Sequence, residues 1–199
     1  MKIKSNSNYT NENFSDLEFH GGIVEQSEFE DCKFINCNFS ETQFVECNFI
    51  DCAFKSSNLN LVKLDKSRFI ETIFKDSKIT GVNWTSCDWG SYSIVPPIFF
   101  KSCDISFSIF NSLKLRDFSL QDCKAHDVDF SDCDLKGADF FRTDLKKSRF
   151  VLCKLDDCNF LEAVNYYIDP CENSINRAKF HSPEVLSLLS AFEIKIDEI

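Results

Sequence analysis

The apolar positions of this chain repeat every five residues. The run SEFEDCKFINCNFSETQFVECNFIDCAF places Phe at positions 29, 34, 39, 44, 49 and 54 and polar residues between them. A step of five turns an α-helix by ~140°, which spreads the rings around the helix. On a strand, the same step sends successive rings to opposite faces. The period therefore predicts a solenoid in which the chain turns a corner after each pentapeptide.

This period covers most of the chain. Every fifth residue is apolar from Phe14 to Trp89, and again from Phe100 to Phe160. Eleven residues separate Trp89 from Phe100, which predicts an insertion of one residue beyond two repeats, beside Pro96 and Pro97. We interpret this break as a slip between coils. A protrusion that contacts a partner is the alternative.

The repeats predict an all-β solenoid; if each pentapeptide forms one side, four of them close a square after about 20 residues and the rod has about seven coils. We divide the chain into three parts. A lead-in covers residues 1–11, the β-helix covers 12–163 with a register break at 90–99, and a C-terminal cap covers 164–199.

The cap contains a predicted α-helix over about 183–192. Ser182 is a good N-cap, Pro183 suits the first helical position, and Glu184 lies near the positive end of the helix dipole. An apolar stripe follows at α-helical spacing: Val185, Leu188, Leu189 and Phe192. We expect this stripe to cover the open last coil, because an exposed solenoid end leaves backbone groups unpaired.

Most of the eleven cysteines lie two residues before a repeat centre, where Ser, Thr, Val and Ala stand in other repeats. They are Cys32, Cys37, Cys47, Cys52, Cys87, Cys103, Cys123, Cys133, Cys153 and Cys158. This interchange indicates small buried side chains that pack in a core. A metal site would favour paired spacings with His partners, and neither is present. We predict reduced thiols, no metal and a cytoplasmic location.

The charge of the chain is −10, and most of it lies in one segment. Such a charge argues against nucleic acid or an anionic membrane as a direct partner. Ten acids and one base, Lys33, lie between Asn11 and Asp51. With a 20-residue coil, Asp31, Asp51 and Glu71 occupy the same outward position on successive coils. Stacked like charges cost stability, which points to a role in binding. Acids that simply keep the rod soluble are the alternative.

Catalysis has little support in the sequence. His20, His126 and His181 are far apart and lack a nucleophile or a carboxylate at a useful spacing. No phosphate-binding loop is present. We therefore predict no enzymatic activity and no cofactor. The polar N-terminus predicts no signal peptide, and no apolar run is long enough to span a bilayer.

The tandem pattern resembles the pentapeptide-repeat family, most clearly in CNFSETQFVECNFIDCAF and VDFSDCDLKGADFFRTDLKKSRF. Members of that family fold as right-handed quadrilateral β-helices, so the resemblance implies both the handedness and the four-sided cross-section. The repeats and the tail are similar to those of the Qnr and MfpA type. Those proteins bind type II DNA topoisomerases such as gyrase as DNA mimics, and they protect these enzymes from quinolones or toxins. The resemblance also implies a homodimer formed through the C-terminal ends.

Two hypotheses follow for the function. The first is a non-catalytic DNA mimic that binds DNA gyrase or another type II topoisomerase. The second is a solenoid scaffold for an unrelated protein partner. The residues that we expect to contact the partner are Glu12, Asp16, Glu25, Glu30, Asp31, Glu41, Glu46, Asp51 and Glu71. The residues that we expect at the dimer contact are Leu186, Phe192, Ile194 and Ile196.

Overall fold

The computed structural model describes residues 3–90, 98–192 and 194. The chain is a parallel β-solenoid of about eight turns with one short helix at the C-terminus. Strands pair in register with strands one coil later, as when Asn8 lies beside Glu28. The predicted fold class is therefore confirmed.

The strands are two to four residues long because a corner interrupts the extended backbone after each pentapeptide. They are β1 (Asn8–Thr10), β2 (Asn13–Ser15), β3 (Ile23–Glu25), β4 (Glu28–Glu30), β5 (Lys33–Ile35), β6 (Gln43–Val45), β7 (Asn48–Ile50), β8 (Ala53–Lys55), β9 (Arg68–Ile70), β10 (Thr72–Lys75), β11 (Ile98–Lys101), β12 (Ser119–Gln121), β13 (Asn159–Phe160) and β14 (Lys179–Phe180). Two 3-10 helices cover Trp84–Ser86 and Glu184–Phe192.

The stacked strands form the four sides of the rod. Side 1 is a sheet with the order β12-β11-β10-β8-β5-β2, continued by the pair β13-β14. Side 2 is built from isolated parallel bridges such as Asn38 with Asn58. Side 3 contains the pair β3-β6, and side 4 has the order β1-β4-β7-β9. The chain passes through sides 1, 2, 3 and 4 in turn, with a corner between each two.

The repeat centres point inward and stack in columns along the rod. On side 1, the ring of Phe34 lies 5.0 Å from that of Phe14 and 4.4 Å from that of Phe54, in nearly parallel planes. Across the core, Phe34 meets Phe29 of side 4 edge-on at 5.5 Å. Each favourable aromatic pair contributes about 0.5–1.5 kcal/mol beyond its buried area. The Phe columns are therefore a main source of stability.

The small residue two positions before a repeat centre packs in the core and can also donate a hydrogen bond. The Cys52 thiol donates to the carbonyl oxygen of Phe29 in the preceding coil, at 3.2 Å. The Thr72 hydroxyl donates in the same way to the carbonyl of Phe49, at 3.1 Å. A short side chain with one donor satisfies this carbonyl without leaving space. This geometry explains why Cys, Ser and Thr replace one another at this position.

The solenoid extends beyond the predicted boundaries at residues 12 and 163. At its start, Tyr9 pairs with Phe29 in β4, and their rings stack at 5.0 Å. At its end, Phe180 stacks on Phe160 at 5.1 Å. The apolar period weakens at both ends because polar residues replace some repeat centres there, although the backbone ladder continues. The number of coils is consequently higher than the predicted seven.

One coil is longer than the others. Phe74 pairs with Phe100, so this coil has 26 residues where its neighbours have 20. The expectation of a single inserted residue is therefore wrong, because this coil is six residues longer than its neighbours. Asp88 still donates to the carbonyl of Ser67 in the preceding coil. The additional residues of this coil therefore come after Asp88. Residues 91–97, which belong to the predicted break, lie outside the described residues.

The C-terminal helix is a 3-10 helix, whereas the sequence predicted an α-helix. The backbone N–H of Leu186 donates to the carbonyl of Pro183, three residues earlier. In a 3-10 helix, residues i and i+3 share a face. Leu188 consequently packs against the core, while Phe192 shares a face with Leu186 and is 52% exposed. The prediction that Phe192 covers the last coil is wrong.

Candidate protein-binding surface

In most of the described repeats, the second residue after the repeat centre forms a corner and adopts a left-handed backbone conformation. Asp31, Asp51 and Glu71 have φ values of 51°, 52° and 50°. Left-handed φ is unfavourable for most side chains, and Asp and Asn tolerate it better than apolar residues do. The geometry of the corner therefore accounts for many of the Asp residues in the sequence.

Asp31, Asp51 and Glu71 lie directly above one another at the corner between sides 4 and 1. We call them the acid column. The N–H of Asp31 donates to Ile50, and that of Asp51 donates to Ile70, each at 2.9 Å. All three side chains are exposed. Adjacent coils of a parallel ladder lie ~4.8 Å apart, so the column presents three carboxylates along about 10 Å of the rod.

The other six candidate acids are spread around the rod. Glu30 follows Phe29 on β4 and lies beside the acid column, so it joins this surface. Glu12 lies at the same corner one coil earlier, half-buried before β2. The other four lie elsewhere: Asp16 is at the corner after side 1, Glu25 is on β3, Glu41 is at the corner after side 2, and Glu46 is at the corner after side 3. The nine predicted residues therefore do not form one surface.

Glu46 differs from the acid column because it is neutralised locally. Its carboxylate accepts hydrogen bonds from Gln26 at 3.1 Å and from Lys66 at 3.4 Å. These hydrogen bonds lower the pKa of Glu46 below its ordinary value. A partner would have to compete with Lys66 for this carboxylate.

Ion pairs divide the rod into two halves. Lys66–Glu46 is the one described pair before residue 90. Several of the acids that follow residue 100 are paired with cations of neighbouring coils, as Asp134 is with Arg116 at 2.9 Å and Asp157 is with Arg177 at 2.6 Å. Within the described residues, no cation lies within 4 Å of the acid column. The negative potential of the rod is therefore least compensated in its N-terminal half.

A column of lysines on side 1 was not anticipated from the sequence. Lys75 lies beside Lys55 in one ladder and beside Lys101 in the other, and all three side chains are exposed. The spacing of 20 residues between Lys55 and Lys75 can be read from the sequence. The spacing of 26 residues between Lys75 and Lys101 cannot, because it depends on the length of the long coil. The acid column borders this basic column across Ala53 and Ile73. The negative surface therefore faces side 4, away from side 1.

The thiols behave as packing residues. All of the cysteines at the small position are buried except Cys87, which is half-buried, and Cys171 is exposed. Burial raises the pKa of the Cys52 thiol to about 12 and that of Cys133 to about 12. No group of three potential metal ligands occurs among the described residues.

Two histidines have a hydrogen-bond partner among the described residues: His20 Nδ1 lies 2.9 Å from the hydroxyl of Ser40, and His126 contacts a carboxylate. The Nε2 atom of His126 lies 2.7 Å from a carboxylate oxygen of Asp144, which also accepts a hydrogen bond from Asn165. Burial opposes ionisation of Asp144, but the hydrogen bonds from Asn165 and His126 prevail and lower its pKa. Neither His20 nor His181 lies near this pair in the sequence. In the parts of the chain that the structure covers, no helix is long and apolar enough to cross a membrane.

Three of the four predicted dimer residues are described, and all three are exposed. The exposed fractions are 45% for Leu186, 52% for Phe192 and 54% for Ile194. The 3-10 geometry places Leu186 and Phe192 on one face of the C-terminal helix. Ile196 lies outside the described residues.

Comparison with known proteins gives the family. A model named "Pentapeptide repeat region" matches residues 27–95, and "Pentapeptide repeats (8 copies)" matches residues 126–160. A search of curated protein sequences found no match.

Solved structures with a similar chain path include trypsin-treated QnrB1, described as a plasmid-mediated fluoroquinolone resistance protein. It is 16% identical, with 98% of this chain and 99% of that chain covered and a TM-score of 0.44. HetL, a pentapeptide-repeat protein involved in heterocyst differentiation regulation in the cyanobacterium Nostoc sp. strain PCC 7120, is 15% identical. There, 89% of each chain is covered and the TM-score is 0.28. The family matches, together with the inward Phe columns and left-handed corners, show that the chain belongs to the pentapeptide-repeat proteins.

Proposed function

We propose that this protein is a non-catalytic DNA mimic that binds the cationic DNA-binding surface of a type II topoisomerase such as DNA gyrase. The observation that carries the proposal is the acid column, which is exposed, in register and without an ion pair among the described residues. The choice of partner follows from the resemblance of the repeats and tail to the Qnr and MfpA type.

The geometry of the acid column suits a surface that normally holds duplex DNA. DNA carries one phosphate per 3.4 Å along each strand, and the acid column carries one carboxylate per ~4.8 Å. A cationic groove that binds the phosphates of DNA could also bind the carboxylates of the acid column, although the column offers fewer charges. The contact should weaken with added salt, because exposed charges are screened over about 8 Å at physiological ionic strength.

Cross-coil ion pairs reinforce the contrast between the two halves of the rod. Paired acids such as Asp134 and Asp157 already satisfy neighbouring cations. A partner gains little from them, since it would have to replace an existing pair. We therefore place the binding surface at the acid column and Glu30. The alternative of a solenoid scaffold for an unrelated protein predicts no effect of these residues on a topoisomerase.

The test is a DNA gyrase supercoiling assay, with and without a quinolone, in which the protein is titrated to micromolar concentration. The proposal expects inhibition of supercoiling or protection from the drug, and a weaker effect for the double variant Asp31→Asn/Asp51→Asn. The control, Asp127→Asn/Asp132→Asn, removes the same charge from two left-handed corners of the C-terminal half. If wild-type protein neither inhibits nor protects, or if both double variants act alike, the proposal is wrong.

We also propose a homodimer formed through the C-terminal helix. Leu186 and Phe192 are exposed on one helix face, and Ile194 follows them. Their burial against a second copy would remove apolar area from water, at about 25 cal/mol per Å². Sedimentation of Leu186→Asn should show a shift towards monomer, while Leu152→Asn, at an exposed leucine elsewhere, should not. A monomer mass for wild-type protein across micromolar concentrations rules the dimer out.

A further inference from the structure

Two of the nine buried cysteines, Cys103 and Cys123, differ from the rest in their hydrogen bonds. Each of the other seven donates its thiol to a carbonyl oxygen of the preceding coil, as Cys133 does to Phe110 at 3.0 Å. Among the described residues, Cys103 and Cys123 make no such bond. Their thiols donate to the carbonyl two residues earlier in their own coil, at 3.3 Å and 3.0 Å. These two thiols are therefore not fixed to the preceding coil.

Cys103 and Cys123 are direct neighbours on successive coils of side 2. The residues that follow them, Asp104 and Lys124, form a parallel bridge, so the two cysteines are in register. The N–H of Cys103 donates to Sγ of Cys123 at 3.3 Å, and the two thiols also hydrogen-bond each other. Neighbouring coils lie ~4.8 Å apart, and the Cα atoms of a disulfide lie about 4.4–6.8 Å apart. The pair therefore lies within the span of a disulfide.

The two sulfurs of this pair differ in acidity. The hydrogen bond from the Cys123 thiol lowers the pKa of Cys103, whereas burial raises the pKa of Cys123. Cys103 is consequently the better source of a thiolate, which is the reactive form of cysteine. The two residues are also the least buried of the nine, at 3% and 4% exposed. A small oxidant should reach them more readily than it reaches the other seven.

We propose that Cys103 and Cys123 form a redox modification site, which hydrogen peroxide converts into a disulfide. The Cys103 thiolate attacks one oxygen of the peroxide, and the O–O bond breaks. Cys103 becomes a sulfenic acid, and the hydroxide that leaves takes up a proton to form water. The Cys123 sulfur then attacks the sulfenic sulfur, and its proton leaves with the hydroxyl group as a second water. Two thiols and one peroxide thus give one disulfide and two waters.

The disulfide would join two coils at a defined place in the rod. Cys103 follows β11, where the 26-residue coil ends, and Cys123 lies in the next coil. A thiol reductant breaks the bond again by exchange, so the modification is reversible. The site lies on side 2, whereas the acid column lies at the corner between sides 4 and 1. The proposal is therefore independent of the topoisomerase contact.

The test is peptide mapping of the full chain after treatment with hydrogen peroxide. The protein carries Cys171→Ser, which removes the exposed thiol and with it the cross-links between molecules. After oxidation of the folded protein, urea and iodoacetamide block the remaining thiols, and trypsin cleaves after Lys114, between Cys103 and Cys123. The expected product is a pair of peptides joined through these cysteines, lighter by two hydrogens than the reduced pair. Dithiothreitol should separate the two peptides.

The matched control is the pair Cys133 and Cys153 of the same protein. These cysteines also lie in register on successive coils, but each donates to a carbonyl of the preceding coil. They should stay reduced at the peroxide concentration that joins Cys103 to Cys123. Two variants test the order of the steps, and Ser57 shows that serine fits this column. Cys103→Ser should abolish the cross-link, and Cys123→Ser should leave a sulfenic acid on Cys103, which dimedone labels.

Three results would overturn the proposal. The first is the absence of the cross-link at every peroxide concentration at which the protein stays folded. The second is equal cross-linking of Cys133 with Cys153, which would mean that register alone decides the reaction. The third is a cross-link that forms only in urea, which would place the reaction in the unfolded chain.

Discussion

The acid column predicts that removing one charge makes the protein more stable. Asp51 lies between Asp31 and Glu71, with ~4.8 Å between successive coils. Two unit charges at that distance in water repel by about 0.9 kcal/mol. Favourable cross-strand pairs contribute about 0.2–1 kcal/mol each, and like charges directly opposite one another are destabilising. Because Asp51→Asn relieves two pairs and Asn tolerates the left-handed corner, we expect a gain of about 1 kcal/mol in the free energy of unfolding.

Urea denaturation at low and high salt measures this gain. The Debye length falls from about 30 Å at 0.01 M to about 3 Å at 1 M ionic strength, so the gain should largely disappear at high salt. Asp127→Asn is the matched control, because Asp127 is also an exposed corner residue but lies between Phe107 and Lys147 in its column. Equal midpoints for wild-type protein and Asp51→Asn at low salt would refute the reasoning. So would a gain that persists at 1 M salt, or an equal gain for Asp127→Asn.

Three further predictions concern the core, the thiols and pH. Phe34→Ala should lower the free energy of unfolding by about 3–5 kcal/mol, and Phe19→Ala by clearly less, because Phe34 is 1% exposed and Phe19 is only partly buried. Equal losses of stability in urea denaturation would contradict the conclusion that the buried Phe columns stabilise the fold. In the folded protein, a thiol reagent such as DTNB should react rapidly with Cys171 alone, and Cys171→Ser should abolish this rapid reaction. Rapid reaction of several thiols would show that the core cysteines are accessible and would contradict the prediction. Hydrogen bonds from Arg177 lower the pKa of Asp157 below its ordinary value of 3.8. This pair therefore stabilises the fold above pH 3.8, and the stabilisation is lost as the pH falls through the lowered pKa. The stability difference between wild-type protein and Asp157→Asn should accordingly shrink in strong acid, and a difference unchanged at pH 2 would exclude the ion pair as its source.

The inward half of the structure follows from the sequence because burial imposes a strict period. Phe29, Phe34 and Phe49 are placed by spacing alone, and the structure buries all three at 1% exposure or less. The small positions were also predictable as packing sites. Their hydrogen bonds to the preceding coil were not, since the pattern does not reveal which carbonyls a corner leaves unpaired.

The features that escaped prediction depend on backbone geometry between the apolar positions. Phe192 has α-helical spacing, but the 3-10 helix turns it away from the core. Lys101 belongs to a basic column because the coil between Lys75 and Lys101 has 26 residues. The sequence period of five does not reveal that this coil is six residues longer than its neighbours. The left-handed φ at Asp31 gives the Asp residues of the corners a structural reason that is separate from the proposed binding role.

The central claim is that the acid column competes with duplex DNA for a topoisomerase. The most direct test is displacement of fluorescently labelled duplex DNA from DNA gyrase at equilibrium, with the protein as competitor. We predict displacement by wild-type protein that weakens with added salt, weaker displacement by Asp31→Asn/Asp51→Asn, and no change for Asp127→Asn/Asp132→Asn. No displacement by wild-type protein, or equal displacement by all three proteins, would contradict the account.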